Sequence, residues 1–324
     1  MRNLPKLPDP FILLLFLAIL IAYIFPNFSL WSYHSITLNS IIDVGIVLVF
    51  FFYGLKLNWK DVFKDLANWR MHLLIQFITF IVFPLIVLLG YPFIKLYPIY
   101  FTLFVAVFYL ASLPSTVSSS VVMVSIAKGN IPSAIFNASI SGLIGIIVTP
   151  LWMSLFLSKA GNDFNLMDTI LDLILKIILP VVVGALLQPF LGQFYNRYKK
   201  QFSNLDKLTI ILIVYNSFSH TFLDGLFSKI GLIPLLVVFI IVVFLFFFVF
   251  NLSKWVASRM GFNREDDITI QFCSTKKSLV HGSVIGAVLF SGDMGIYLIP
   301  IMLYHTFQLI YISYIANQYG KEVE

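Results

Sequence analysis

Residues 268–290 read ITIQFCSTKKSLVHGSVIGAVLF, an apolar stretch long enough to cross a bilayer. It carries two adjacent lysines, Lys276 and Lys277, and no acidic residue. Its centre, Ser274-Thr275-Lys276-Lys277-Ser278, repeats the ST-x-x-S pattern of Ser115-Thr116-Val117-Ser118-Ser119, which lies 159 residues earlier (274 less 115). A soluble domain carries about 25% charged residues. This chain of 324 residues carries 11%, with 60% hydrophobic residues and a mean hydropathy of +0.95. Those values exclude an ordinary soluble enzyme and point to a polytopic membrane protein. The single cysteine, Cys273, excludes a disulfide framework and a cysteine-rich metal site.

Outward from the two motifs, apolar stretches fall at 11–25, 36–55, 71–89, 100–126 and 131–157. A second set follows at 167–190, 208–222, 230–256, 268–290 and 295–316. The first follows Arg2 and Lys6 but lacks a small-residue cleavage site after Phe25, so it reads as a retained helix. With ten spans and both termini in the cytoplasm, Arg2, Lys6, Lys56, Lys60, Lys64, Arg70, Lys128, Arg197, Lys199, Lys200, Lys207, Lys254, Arg259, Arg264 and Lys321 fall inside. Lys95, Lys159 and Lys229 fall outside. This bias is the positive-inside signature of a protein in the cell (inner) membrane, and it accounts for the net charge of +6 without nucleic acid as a partner. The lipid bilayer is the expected surrounding partner.

The two motifs lie in spans four and nine. An offset of five spans reverses direction across the membrane, so the pattern is a five-plus-five inverted repeat, 1–160 and 161–324. Lys128-Gly129-Asn130 corresponds to Ser291-Gly292-Asp293 with a four-residue slip. Nine residues separate Ser119 from Lys128 and Asp267 from Lys276, or ~14 Å of helix, which sets both motifs near the bilayer midplane. An isolated lysine there costs about 2.5–3.5 kcal/mol. Broken helices presenting free amides and carbonyls around a wet cavity, the first break following Pro114, are the expected solvation.

The segments 113–141 (LPSTVSSSVVMVSIAKGNIPSAIFNASIS) and 271–282 (QFCSTKKSLVHG) resemble the bile acid:sodium symporter family. They are closest to its branch of bacterial homologues of the seventh member of human solute-carrier family 10. The resemblance implies ten helices in one membrane-embedded unit, with a panel of spans 1, 2, 6 and 7, a core of spans 3, 4, 5, 8, 9 and 10, and discontinuous, crossing spans four and nine. It also implies one cation set, for sodium, at Ser119, Ser120, Ser133 and Asn137. A second set corresponds to Gln76, Gln271, Thr275 and Lys276, where glutamine replaces the family's glutamate and lysine its asparagine. An ammonium there implies reduced or absent sodium coupling. Apart from sodium, no cofactor is implied.

Lys277, His281, His305 and Asn216 are the remaining substrate or gating candidates. Tyr304, His305 and Gln308 form a polar patch on an apolar tenth span. Lys276 and Lys277 stand ~100° apart on a helix, so one is expected to reach the cation region and the other a helix end or a substrate acid. Ser112, Ser115, Ser118 and Ser125 read as small packing residues. Asp172 and Lys176 have the i, i+4 spacing of an intrahelical ion pair, and Arg197, Lys199 and Lys200 read as a solvated loop. The chain has no HExxH, GxSG or GxGD string and no phosphate-binding glycine loop, which argues against an enzyme. The function read here is secondary transport of a small organic solute, anionic and partly apolar, by alternating access. A regulatory or sensing membrane protein with little flux is the other class that fits.

Overall fold

The computed structural model describes residues 10–34, 36–56, 68–94, 100–116, 118–157, 166–225, 231–290 and 294–322. Helix α1 (Pro10–Ile24) is followed by a 3-10 turn (Pro26–Leu30) and a ribbon of two residue pairs, β1 (Ser32–Tyr33) against β2 (Ile36–Thr37). Then come α2 (Leu38–Lys56), α3 (Trp69–Ile94), α4 (Phe101–Ser112), α5 (Ser118–Ile126) and α6 (Ile131–Leu157). Helix α7 runs as Leu166–Leu173, Ile174–Ile178 and Leu179–Arg197. It is followed by α8 (Lys199–Leu223), α9 (Leu232–Arg259), α10 (Arg264–Thr275), α11 (Leu279–Leu289) and α12 (Met294–Lys321). Helices α2, α3, α6, α7, α9 and α12 are each long and apolar enough to cross a membrane. The chain is an all-α, multi-pass membrane protein.

Prolines shape these helices. Leu113 is extended (φ −71°, ψ 152°), the conformation that the following Pro114 imposes, and α4 ends there. In α3 and α7 the residue before a proline donates one residue further back than in an α-helix. Phe83 N–H reaches Ile78 O and Leu179 N–H reaches Ile174 O, giving a π-turn in each helix. Helix α10 ends where Lys276 becomes extended (φ −73°, ψ 144°), and Ser278 caps α11 by accepting from the His281 backbone N–H at 3.2 Å.

Helices α1, α2, α7 and α8 pack on one another, and α8 leans on α11 and α12. The crossing of α2 over α7 is the closest approach. A Cβ on Gly54 would collide with Val181 O, and one on Gly184 with Phe51 O. Glycine on both sides lets the two backbones touch. The buried Asp266 carboxylate accepts from Asn130 Nδ2 at 2.8 Å and Asn68 Nδ2 at 3.4 Å, tying α10 to the turn after α5 and to the start of α3.

Two sequence expectations change. Arg197, Lys199 and Lys200 do not form a loop: only Tyr198 separates α7 from α8, because both helices continue into the polar zone and the cations sit at their adjoining ends. Lys176 does not pair along its own helix with Asp172; its Nζ lies 3.3 Å from Asp43 Oδ1, across the close α2–α7 contact. Arg2, Lys6, Lys60, Lys64, Lys95, Lys159 and Lys229 of the charge count, and the Ser291-Gly292-Asp293 match, lie outside the described residues.

The glycine contact has a measurable consequence. Gly184→Ala is expected to lower stability in detergent by about 1–3 kcal/mol, the scale of overpacking. Gly192→Ala, whose new Cβ meets only the end of the flexible Gln188 side chain, is expected to leave it unchanged. Thermal melts of both variants check this.

Candidate functional site

Each end of a broken helix leaves backbone groups without helical partners, and burial in apolar surroundings makes each one costly. The site is best read by following them. At the end of α4, Tyr109 O accepts from Ser112 Oγ, Leu110 O from Leu113 N–H, and Ser112 O from Thr149 Oγ1. Ala111 O is different. Its i+3 neighbour Pro114 has no N–H, and the Ser115 N–H is given to Ser141 Oγ at 2.9 Å. Leu113 O lies beyond the helix.

The missing donor is Lys277. Its Nζ donates to Ala111 O at 2.6 Å, Leu113 O at 2.8 Å and Thr79 O at 2.8 Å. Thr79 O is itself freed by the π-turn, because Phe83 N–H has gone to Ile78 O and Pro84 has none. The ammonium also stands 4.2 Å from the Phe83 ring centroid. Lys276 takes the other direction, and its Nζ donates to Ser119 O at 2.7 Å. Both lysines are fully buried. Among the described residues neither has a carboxylate within 4 Å. Carbonyl oxygens therefore do the work expected of water.

The break between α10 and α11 is closed by α12. Tyr304 Oη donates to Thr275 O at 2.6 Å. Gln308 grips the Lys277 backbone through the two peptide groups that flank its Cα, accepting its N–H at 2.9 Å and donating to its C=O at 2.8 Å. His305 Nδ1 lies 2.9 Å from Gln308 Nε2, so the polar patch of the tenth stretch faces the break. The two breaks also bond each other, through Ser278 N–H to Pro114 O at 2.9 Å and Ser115 Oγ to Cys273 O at 2.6 Å.

The expected cation residues fall into separate groups. Ser119 Oγ and Ser120 Oγ both meet Thr116 Oγ1, at 2.9 and 2.8 Å. Asn137 Oδ1 accepts from Gln76 Nε2 at 3.2 Å, while its Nδ2 contacts Ser133 O at 2.9 Å and His72 Nδ1 at 2.8 Å. Gln76 Oε1 is buried with no hydrogen-bond partner, an oxygen able to serve a cation. Gln76 thus joins Asn137 of the first set. Gln271 turns the other way: its Nε2 donates to Phe250 O at 3.3 Å and its Oε1 accepts from Tyr319 Oη at 3.2 Å. Thr275 Oγ1 donates to Gln271 O. The second set is therefore not gathered around one point, and its residues do not fit a second sodium ion.

His281 Nδ1 shares a hydrogen bond with Ser278 Oγ at 3.0 Å, and its ring packs edge-on against Tyr53 of α2 at 5.3 Å. Asn216 lies apart, donating to Asn39 Oδ1 at the start of α2. The sequence reading missed His72, four residues before Gln76 and so on the same helical face; that spacing was the available signal. It also missed Thr79 and Pro84, whose part depends on the π-turn.

Replacing Gln308 by Leu removes both bonds to the Lys277 peptide and leaves two buried backbone groups unpaired, at about 1–3 kcal/mol each. A thermal melt should show a marked loss for Gln308→Leu and almost none for Asn317→Leu on the exposed face of the same helix. Equal melting of the two variants would contradict the two-sided grip.

Comparison with known proteins gives the family. The SBF-like CPA transporter family matches residues 9–321. YfeH of Escherichia coli is 32% identical over 322 residues, covering 98% of this chain and 95% of that one. PA2026 of Pseudomonas aeruginosa is 33% identical over 317 residues, covering 97% and 94%. The mouse protein named sodium/bile acid cotransporter 7 is 28% identical over 270 residues, covering 82% and 79%. With the family match spanning nearly the whole chain, this protein belongs to the SBF-like CPA transporter family and is a membrane transporter, not an enzyme.

Proposed function

We propose that the protein is a secondary transporter of ten spans in a five-plus-five inverted repeat, moving an organic, anionic, amphipathic solute by alternating access with little or no sodium coupling. In this reading α1, α2, α7 and α8 are the panel and the other helices the core. The pairs α4–α5 and α10–α11 are the two discontinuous spans, which cross where Ser278 N–H meets Pro114 O. Movement of the panel against the core would occur along the contact that His281 makes with Tyr53 and that α8 makes with α11 and α12. Both termini are placed in the cytoplasm, on the sequence bias of lysine and arginine.

The observation that carries the coupling reading is the Lys276 ammonium, 2.7 Å from Ser119 O, beside residues of the first cation set. A fixed positive charge repels a sodium ion entering there, and the set of Ser119, Ser120, Ser133, Asn137 and Gln76 contains no carboxylate to offset the dehydration of that ion. At most one sodium ion per cycle follows. Titrating transport in proteoliposomes, or thermal stability in detergent, against sodium should give either no dependence or a Hill coefficient near one. A cooperative requirement clearly above one sinks this reading. Lys276→Ala is expected to destabilise the core unless sodium is supplied.

The charge of the solute follows from the same residues. Two buried ammonium groups without a carboxylate within 4 Å among the described residues, together with the N-termini of α5 and α11, give the crossing a positive potential. Carboxylates and sulfates carrying an apolar body should raise the melting temperature and organic cations should not, since a ligand of the native state stabilises by mass action. Stabilisation by cations alone is the opposing result.

A further inference from the structure

We propose that the carbonyls of Thr79, Ala111 and Leu113, closed over by the Phe83 ring, form a monovalent-cation cage in which Lys277 carries the ion on a covalent tether. With the tether cut, the same cage binds a free primary alkylammonium ion.

The geometry specifies the ligand. An ammonium group has three N–H donors arranged as a tripod about its own carbon. Here three carbonyl oxygens lie 2.6, 2.8 and 2.8 Å from Nζ, each a distance for a charge-assisted hydrogen bond. A neutral amine has only two protons, and its lone pair would face a carbonyl oxygen. The ring face at 4.2 Å adds a cation–π contact, another preference for positive charge. None of the three oxygens is borrowed from a regular helix. The Phe83-Pro84 step releases Thr79 O, Pro114 with the Ser115–Ser141 bond releases Ala111 O, and Leu113 O lies in the extended link. The cage is thus made by the backbone irregularities of α3 and α4 and is complete before any side chain of α10 or α11 is added.

This site is distinct from both expected cation sets. No residue among Ser119, Ser120, Ser133, Asn137, Gln76, Gln271 and Thr275 contributes an oxygen to it. It does not depend on the transport reading either, since it is tested by stability alone. Its selectivity follows from the tripod: guanidinium is planar, a tetraalkylammonium has no donor, and an alcohol has one proton and no charge.

Lys277→Ala keeps Cβ and removes a group equivalent to n-propylammonium, so that ion is the probe. Purified Lys277→Ala in detergent should melt several degrees below the wild type. Millimolar n-propylammonium should raise its melting temperature saturably, while propan-1-ol, guanidinium and tetramethylammonium should not, and none of the four should act on the wild type beyond their general salt or solvent effect. An equal response of wild type and variant to n-propylammonium overturns the proposal, as does a Lys277→Met protein as stable as the wild type, since a neutral side chain of similar reach would then suffice. If Lys277→Ala aggregates on extraction, the extraction is repeated with n-propylammonium throughout. Recovery of monodisperse protein only in its presence supports the cage, and aggregation in both buffers refutes it.

Discussion

A backbone carbonyl inside a membrane protein has no water to fall back on, and the architecture around the crossing is organised by that constraint. Pro84 within α3 and Pro114 just beyond α4 each remove a donor. The oxygens they release, Thr79 O and Ala111 O, converge with Leu113 O on one point, and a single ammonium answers all three. The usual argument about a buried lysine is thereby inverted. The side chain is not a charge in need of solvation that happens to lie deep in the protein; the backbone around it needs donors, and the lysine is the most economical source of three.

The same accounting explains why α12 carries polar residues on one face. Tyr304 and Gln308 take the groups exposed where α10 stops, the Thr275 carbonyl and both backbone groups of Lys277. An amide side chain pairing with the N–H and C=O of one residue reproduces locally what a neighbouring strand supplies in a sheet. The breaks are consequently not loose joints: every backbone group named at them has a partner, and several partners come from the opposite half of the chain.

Much of this was legible in the sequence, and the parts that were not share a cause. The repeated ST-x-x-S motif, the paired lysines and Pro114 mark where α4 and α10 stop, because proline sterics and midplane charge act locally. Partners across helices were less readable. Lys176 was matched to Asp172 by spacing, yet Asp43 is brought nearer by the glycine crossing of α2 and α7, a contact set by packing. Free carbonyls at broken helices were expected to solvate the lysines, but the sequence does not reveal which carbonyls are left over until the hydrogen bonds of the whole site are followed. Gln271 was placed by alignment of motifs, and its rotation toward Phe250 and Tyr319 depends on how α9 and α12 pack on α10.

The long reach of Lys277 bears on how the protein is made. Leu113 and its ammonium partner are separated by 164 residues. At roughly 5–20 residues per second, the ribosome delivers the partner about 8–33 s after Leu113 has been synthesised. During that interval the nascent first half has two carbonyls at the end of α4 with no permanent donor. The contact is therefore among the late ones to form: the carbonyls at the end of α4 meet the donor they have in the folded protein only after the ninth stretch has been synthesised.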